Sequence, residues 1–569
     1  MNVSTRKYHA DIFCWVIIAV LGVVLLTPIY KVCVSGVRLD GEWTLFFLAN
    51  AFVREIYSRG LLLSLAVAST VTLLSLVLGV FLAYLTTKFE FRGKKILGAL
   101  LFAPIILPPF VGAIGIKKLL AMDGGTISLV LQKLSIIDPA SPPNLLGEHV
   151  FWMVVFLEVM HLYPIMLLNA QASIANVDPA LEEAARNLGA RPWQVLWKVT
   201  LPLARPGLFA GGTIVFIWSF TELGTPLMFD WSELTSVQIF RGLSSIDMRP
   251  QPYVLVLLML LISAAVYLVG KVMFGRKIEI YGAKAGGPIS IKKLGAKATA
   301  AVTAVLLFVI GASLLPHISV ILISLAGKWQ FSVLPTQLAM HHHAEVLKND
   351  MAFPAVLNSL KYSSLSVFAD LLIGIPAAYI IVRTRARGKR LLDTLCMLPL
   401  AVPGIVMAFG YLAMTRPGEI FSFLDPQTAD PTVLLMIAYA TRRLPFVVRG
   451  CAAGIQQVSK SFEEAARNLG AGTLRTVWKI TLPLILANVI GAAVLVFSFA
   501  MLEVSDSLIL AFWQEDFPIT KAIWELSFQL MNGENIASAL GIWCMFLLLG
   551  TLLLSWRLMG KKLAAIFRV

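Results

Sequence analysis

The sequence predicts an all-α polytopic membrane protein with about twelve transmembrane helices, arranged as two homologous six-helix units around a pseudo-two-fold axis. Three observations carry this. Of 569 residues, 58% are hydrophobic and 14% charged, with a mean hydropathy of +0.81, far too apolar for a soluble globular chain. Apolar runs of the roughly 20 residues needed to cross a hydrocarbon core of about 30 Å recur along the sequence. The nonapeptide EEAARNLGA stands unchanged at Glu182–Ala190 and at Glu463–Ala471.

Taken in order, the apolar runs place spans at 12–35, 60–86, 96–120, 150–175, 206–226 and 252–274, then at 298–326, 357–383, 391–414, 432–454, 487–510 and 536–558. A short basic tail precedes the first run and no small-residue cleavage site follows it, so it reads as a retained anchor. Basic residues fill every second loop: Arg6 and Lys7; Lys88, Arg92, Lys94 and Lys95; Arg276, Lys277, Lys284, Lys292, Lys293 and Lys297; Arg383, Arg385, Arg387, Lys389 and Arg390; Lys561, Lys562 and Arg568. The net charge of +15 therefore reads as positive-inside bias and not as a nucleic-acid surface, which puts both termini in the cytoplasm. Cys14, Cys33, Cys396, Cys451 and Cys544 stand singly, without metal-ligand spacing, and read as packed or lipid-facing thiols.

The repeat extends to EEAARNLGARPWQVLWKVTLP against EEAARNLGAGTLRTVWKITLP, identical at 14 of 21 positions and 281 residues apart. Phe91–Lys95 matches Ala386–Arg390, and Pro104 and Pro108 match Pro399 and Pro403, at an offset of 295. The first unit thus carries about 14 extra residues, absorbed by the segment 121–149. A unit used twice in one orientation gives 1–274 as the first half, 275–297 as a basic cytoplasmic linker and 298–569 as the second half, with a pathway near the axis.

Inside the repeat, Leu181, Ala184, Ala185 and Leu188 recur at helical spacing, with Glu182, Glu183, Arg186 and Asn187 on the other side, as in a short amphipathic helix. Asp178 before Pro179 is a start signal and Gly189 a stop; Ser459 and Gly470 do the same in the second copy. A further short run and a Leu-Pro step turn the chain back to the membrane. The pattern Glu-Ala-Ala, three residues, Gly, nine residues, an aliphatic, one residue, Leu-Pro is complete at Glu183, Ala184, Ala185, Gly189, Val199, Leu201 and Pro202, and at Glu464, Ala465, Ala466, Gly470, Ile480, Leu482 and Pro483. It resembles the cytoplasmic coupling motif of permeases of binding-protein-dependent ATP-binding cassette (ABC) importers, and the resemblance covers essentially the whole chain as two permease units fused head to tail.

That resemblance implies an inner-membrane importer subunit of bacterial type whose two motifs dock two copies of a cytoplasmic ABC ATPase, with an extracytoplasmic binding protein delivering cargo. The chain itself is expected to bind no cofactor and to be no enzyme. ATP and Mg are used by the partner ATPases, since each Gly-Lys pair, at 93, 270, 327, 388 and 560, lacks the following Ser or Thr of a phosphate-binding loop. Among such permeases the chain is most similar to ferric-iron importers, through Arg443-Leu444-Pro445-Phe446 and Thr221–Pro226; thiamine importers are the nearest alternative. A secondary transporter of major-facilitator type accounts only for the basic loops, which lack the acidic partner of that family's motif.

Charges inside a bilayer cost roughly 2.5 to 3.5 kcal/mol each and mark function or internal pairing. Glu222 and Glu503 are equivalent across the halves, toward the outer ends of spans five and eleven, and Arg442 and Arg443 stand where the first half has His161 and Leu162. They are expected either to fix packing or to form an acidic pair at the outer mouth with arginine counter-ions. Pro104, Pro108, Pro109, Pro399 and Pro403 break spans three and nine and free carbonyls that need a protein or water-lined setting. His341, His342 and His343 in the external loop 327–356 form a candidate transition-metal site.

Overall fold

The computed structural model describes residues 3–39, 41–122, 124–138, 144–243, 250–281 and 291–559. Lys284, Lys561, Lys562 and Arg568, among the basic residues read above, lie outside them. Long helices form where leucine, valine and alanine run uninterrupted. In the first half they are Ala10–Val37, Glu55–Lys88, Leu145–Ala175, Leu201–Phe220 and Gln251–Tyr281; in the second, Ala296–Ser324, Ala352–Arg383, Thr432–Gln457, Leu482–Met501 and Gly533–Met559. Among the described residues nine helices are long and apolar enough to cross a membrane. Thr432–Gln457 carries Arg442, Arg443 and Arg449 and packs between 352–383 and 482–501, where Leu145–Ala175 sits between 55–88 and 201–220 in the first half.

Spans three and nine, expected at 96–120 and 391–414 with prolines breaking them, are each two helices set at a steep angle. Lys94–Ile106 meets Pro109–Leu120 at 91°, and Lys389–Leu400 meets Gly404–Met414 at 105°. The cause is local: Pro108 and Pro403 hold extended backbone (ψ 138° and 143°), and a proline gives no N–H to continue the preceding turn. Spans five and eleven also end sooner than 206–226 and 487–510 predict. Their helices stop at Phe220 and Met501, and short helices Gly224–Met228 and Ser505–Leu510 follow after a break. Glu222 and Glu503 sit in those breaks.

The halves interlock through their first spans. Helix Thr27–Val37 packs on Gly404–Met414 of the second half, and Ala296–Ser324 packs on Pro109–Leu120 of the first. Both crossings use a glycine, Gly410 and Gly115, 295 residues apart. A Cβ on Gly410 would stand 2.6 Å from Pro28 backbone oxygen, and one on Gly115 would stand 2.9 Å from that of Pro316. At the other end of the bundle, the loop after each second span is held by the chain entering the other half. Phe89–Glu90 pairs in parallel with Lys292–Lys293, and Asp11 accepts the Arg387 amide at 2.7 Å. Cys14, Cys396, Cys451 and Cys544 are buried thiols.

Candidate functional site: two anchored loops and a central cavity

Each copy of the repeated segment is a helix, a left-handed glycine and a short turn feeding a membrane helix. Asp178 accepts the Ala180 amide at 2.9 Å and starts Pro179–Asn187; Ser459 starts Lys460–Asn468 in the same way. Gly189 and Gly470, at φ +84° and +86°, end them, and the amide of Ala190 returns to the Ala185 carbonyl at 3.0 Å, a stop that favours glycine. Turns at Pro192–Thr200 and Thr473–Thr481 then run straight into Leu201–Phe220 and Leu482–Met501. Leu201, Pro202, Leu482 and Pro483 open these membrane helices.

The structure fixes which way the amphipathic loop helix faces. Its apolar face points outward: Leu181 and Ala184 are exposed and Leu188 is 88% exposed, as are Phe462, Ala465 and Leu469 (89%). Glu182 and Glu463 point inward, at 1% and 2% exposure. The apolar face of this amphipathic helix has no cover from this chain.

Glu182 is gripped by Lys88 Nζ and Thr200 Oγ1, each at 2.7 Å. Glu463 accepts from Arg383 Nε at 3.1 Å, Thr481 Oγ1 at 3.2 Å, Tyr379 OH at 3.3 Å and Arg467 at 3.1 Å. Each carboxylate thus ties three elements together: the loop helix, the last turn of the second span, and the entry to the fifth. Glu183 and Glu464 are exposed on the outer side. Sequence reasoning named Glu183 and Glu464 for coupling and read Glu182 and Glu463 only as part of the repeated helix and Lys88 and Arg383 only as loop charges, although Lys88 and Arg383 match at the 295-residue offset and both close a long apolar helix.

The charged residues singled out inside the spans converge on one cavity of about 200 Å³ between the halves, lined by Glu222, Glu503, Arg442, Arg443, Glu158 and His161. Arg442 is the eleventh residue of Thr432–Gln457, about 15 Å along the helix from its end. Arg442 and Arg443 both pair with the Glu503 carboxylate, and Arg442 also reaches Asp506 at 3.6 Å. Glu222 has no arginine from its own half among the described residues; its carboxylate accepts the Thr225 amide at 3.1 Å and Thr225 Oγ1 at 3.3 Å. Glu158, whose carboxylate accepts from Ser219, and the buried Asp370 and Asp506 were overlooked in the sequence, where an acid in an apolar run was the available signal. The broken spans line this region: Pro108 and Pro109 are in the wall, and carbonyls freed at the first break are met by Tyr163 OH on Leu101 O (2.8 Å) and His161 Nδ1 beside Pro104 O (3.3 Å).

The histidine run divides. His341–Lys348 is a short helix, in which His341, His342 and Glu345 bring their donor atoms within 4.8 Å of one another. His343 faces away, its Nδ1 accepting from Trp543 Nε1 at 3.2 Å. Burial, and then the neighbouring His342, hold the His343 imidazole below its ordinary pKa, so it is neutral and suited to accept.

A two-fold repeat of long helices and outward apolar loop helices, set around a charged cavity between the halves, defines a membrane subunit of a transport system. The chain belongs to the family described as binding-protein-dependent transport system inner membrane component, whose sequence model matches residues 75–279 and again 370–559. It is 25% identical to the ferric transport system permease protein FbpB of Actinobacillus pleuropneumoniae over 83% of this chain and 66% of that one. It is 26% identical to the putative ferric transport system permease protein FbpB 1 of Haemophilus influenzae over 81% of this chain and 71% of that one. A shorter stretch, 30% of this chain, is 32% identical to 71% of the molybdenum transport system permease protein ModB of Escherichia coli.

Proposed function

We propose that this chain forms the transmembrane pathway of an ABC importer, that each of its two loop helices docks one ATPase subunit, and that its cargo is ferric iron. The observation that carries the coupling role is the pairing of an uncovered apolar face with a buried anchor. Leu188, Trp193 and Trp197 in one copy, and Leu469, Leu474 and Trp478 in the other, are exposed large apolar side chains beside the glycine turn, the kind of patch that marks a partner surface. Behind each patch a carboxylate fastens the loop to two membrane helices, so a movement of the docked partner is passed on as movement of those helices. Two loops imply two ATPase copies, which supply ATP, Mg and hydrolysis; this chain contributes no nucleotide chemistry. The basic loops support a cytoplasmic position for the loop helices and both termini in a bacterial-type inner membrane, with a binding protein delivering cargo on the opposite face.

Ferric iron is supported by the two ferric-system relatives and by the carboxylates that line the cavity, since hard oxygen donors suit a hard cation. The cavity, at about 200 Å³, lies below the roughly 300 Å³ at which pockets for organic ligands begin, which disfavours thiamine. A second reading, a small oxyanion, is favoured by the ModB-like stretch and by Arg442 and Arg443 in the same wall. Uptake of labelled ferric iron, with molybdate and thiamine in parallel, by cells with and without the gene separates the three. Loss of the iron signal alone supports the cargo; loss of molybdate uptake alone transfers the assignment to the oxyanion; loss of neither removes both. The coupling role has its own test: L188E/L469E leaves the apolar faces charged and is expected to release the ATPase from detergent-solubilised membranes, and retained ATPase overturns it.

A further inference from the structure

The region remote from the coupling loops carries a second cluster of chemistry. Helix Ala296–Ser324 starts beside Lys292–Lys293, which pairs with Phe89–Glu90 next to the Lys88–Glu182 anchor. Its 29 residues rise about 43 Å, so its end at Ser324, with the helix His341–Lys348 that meets the Ala326 carbonyl just beyond it, lies on the opposite face of the protein.

There, His342 is 2% exposed and uses both ring nitrogens. Nε2 stands 3.1 Å from the Ala326 carbonyl, which only accepts, so Nε2 carries the proton. Nδ1 faces Glu345 Oε2 at 3.1 Å. That contact is satisfied either by a proton on Nδ1, as an imidazolium–carboxylate pair, or by a metal ion held between the Nδ1 lone pair and the carboxylate. Two ligand atoms 3.1 Å apart also fit two metal–ligand bonds of about 2.0 to 2.1 Å meeting at roughly 95° to 100°, somewhat tighter than the tetrahedral angle. The exposed His341 stacks beside His342, ring centres 3.8 Å apart, and offers a third donor. A backbone carbonyl on the far nitrogen is the usual way a metal-binding histidine is oriented.

We propose that His341, His342 and Glu345 form a site for a divalent transition metal of the zinc class, open to the outside of the membrane and distinct from the transport cavity. Two imidazoles and one carboxylate suit such an ion, and the exposed sides of His341 and Glu345 leave positions for water or for a group from a partner. His343 takes no part, being turned to Trp543. A bound ion fastens His341–Lys348 to the end of Ala296–Ser324 through His342 and Ala326, and so braces the helix that locks the second half onto the first.

The test uses the full chain in lipid nanodiscs with any affinity tag removed, titrated with Co²⁺ and then with Zn²⁺. One Co²⁺ per chain with visible ligand-field bands, displaced by one Zn²⁺, is expected; H341A/E345Q weakens binding at least tenfold, and H343A leaves it unchanged. Both altered side chains in the double variant are at the surface, and an unchanged thermal melt verifies its fold. Wild-type chain that binds neither ion, or H341A/E345Q that binds as wild type, overturns the proposal and leaves an imidazolium–carboxylate pair.

Discussion

At Arg442 the second half sets a guanidinium into the cavity wall where the first half has His161, and the neighbouring contrasts run the same way. Arg443 answers to Leu162 and Asp506 to Thr225 at the 281-residue offset; Asp370 answers to Ser75 at 295. Glu222 and Glu503 alone keep their charge in both halves among these positions. The second half has therefore closed its charges on themselves, with Glu503 and Asp506 against Arg442 and Arg443, and Asp370 within electrostatic reach of Arg443. The first half leaves Glu222 and Glu158 without a basic partner of their own half among the described residues, facing Arg442 across the cavity. The contrast is a division of charge: one half supplies a wall whose charges are paired, and the other supplies the carboxylates on which the proposed cargo site rests.

The largest expected effect breaks that contrast. Removing one member of a buried ion pair leaves the other uncompensated and costs about 3 to 5 kcal/mol. Glu503→Gln removes the carboxylate that both guanidiniums share and leaves Asp506 and Asp370 to balance them, so it is expected to lower the melting temperature steeply or prevent assembly, measured by thermal unfolding in nanodiscs. Glu222→Gln strands no cation of its own half and is expected to assemble normally yet lose uptake. Equal losses of stability in the two variants would erase the distinction between wall and cargo site.

The inter-half crossings come next. Adding a methyl at Gly410 meets Pro28 backbone at 2.6 Å, whereas at Gly115 the nearest atoms are at 2.9 Å. Overpacking of this kind costs roughly 1 to 3 kcal/mol. Gly410→Ala is expected to destabilise more than Gly115→Ala, with both loosening the contact between halves; cross-linking yield across each crossing measures it.

The anchors differ more gently. Glu463 has four side-chain partners and Glu182 has two within 3.3 Å. Hydrogen bonds to a charged group contribute about 1.5 to 3 kcal/mol, so Glu463→Gln is expected to speed amide exchange over 460–481 about tenfold or more. Glu182→Gln should do so less over 179–200. In both, ATP hydrolysis should persist while transport falls, because docking remains and its tether is loosened.

Much of this molecule was legible in the sequence because it is written twice. The repeated motif, the left-handed glycines and the proline pairs gave the loops and the breaks their positions. The direction of the chain beyond each proline was not legible, since a missing N–H says where a helix stops and nothing about where the next begins. Glu182 was hidden by a sound rule, that acids face water, which fails where Lys88 and Thr200 replace the water. Glu345 was within reach: one helical turn after His341 it shares that residue's face, whereas His343 does not, and the eye was drawn to the unbroken histidine run.

The smallest expected difference between halves sharpens the comparison by vanishing. Gly189 and Gly470 have the same φ within two degrees, and a Cβ at either meets nothing within 4 Å. Replacing either by alanine thus costs only the left-handed strain of an L-residue, about 1 kcal/mol, and the two single variants should melt alike. A bulky residue adds no clash inside this chain, yet it protrudes beside Leu188 or Leu469 into the surface assigned to the ATPase. Gly189→Trp and Gly470→Trp should then match their alanine counterparts in stability of the isolated chain and fall well below them in ATPase binding. If tryptophan and alanine bind the ATPase equally, the exposed face beside each glycine is not where the partner sits, and the coupling surface has to be sought elsewhere on the chain.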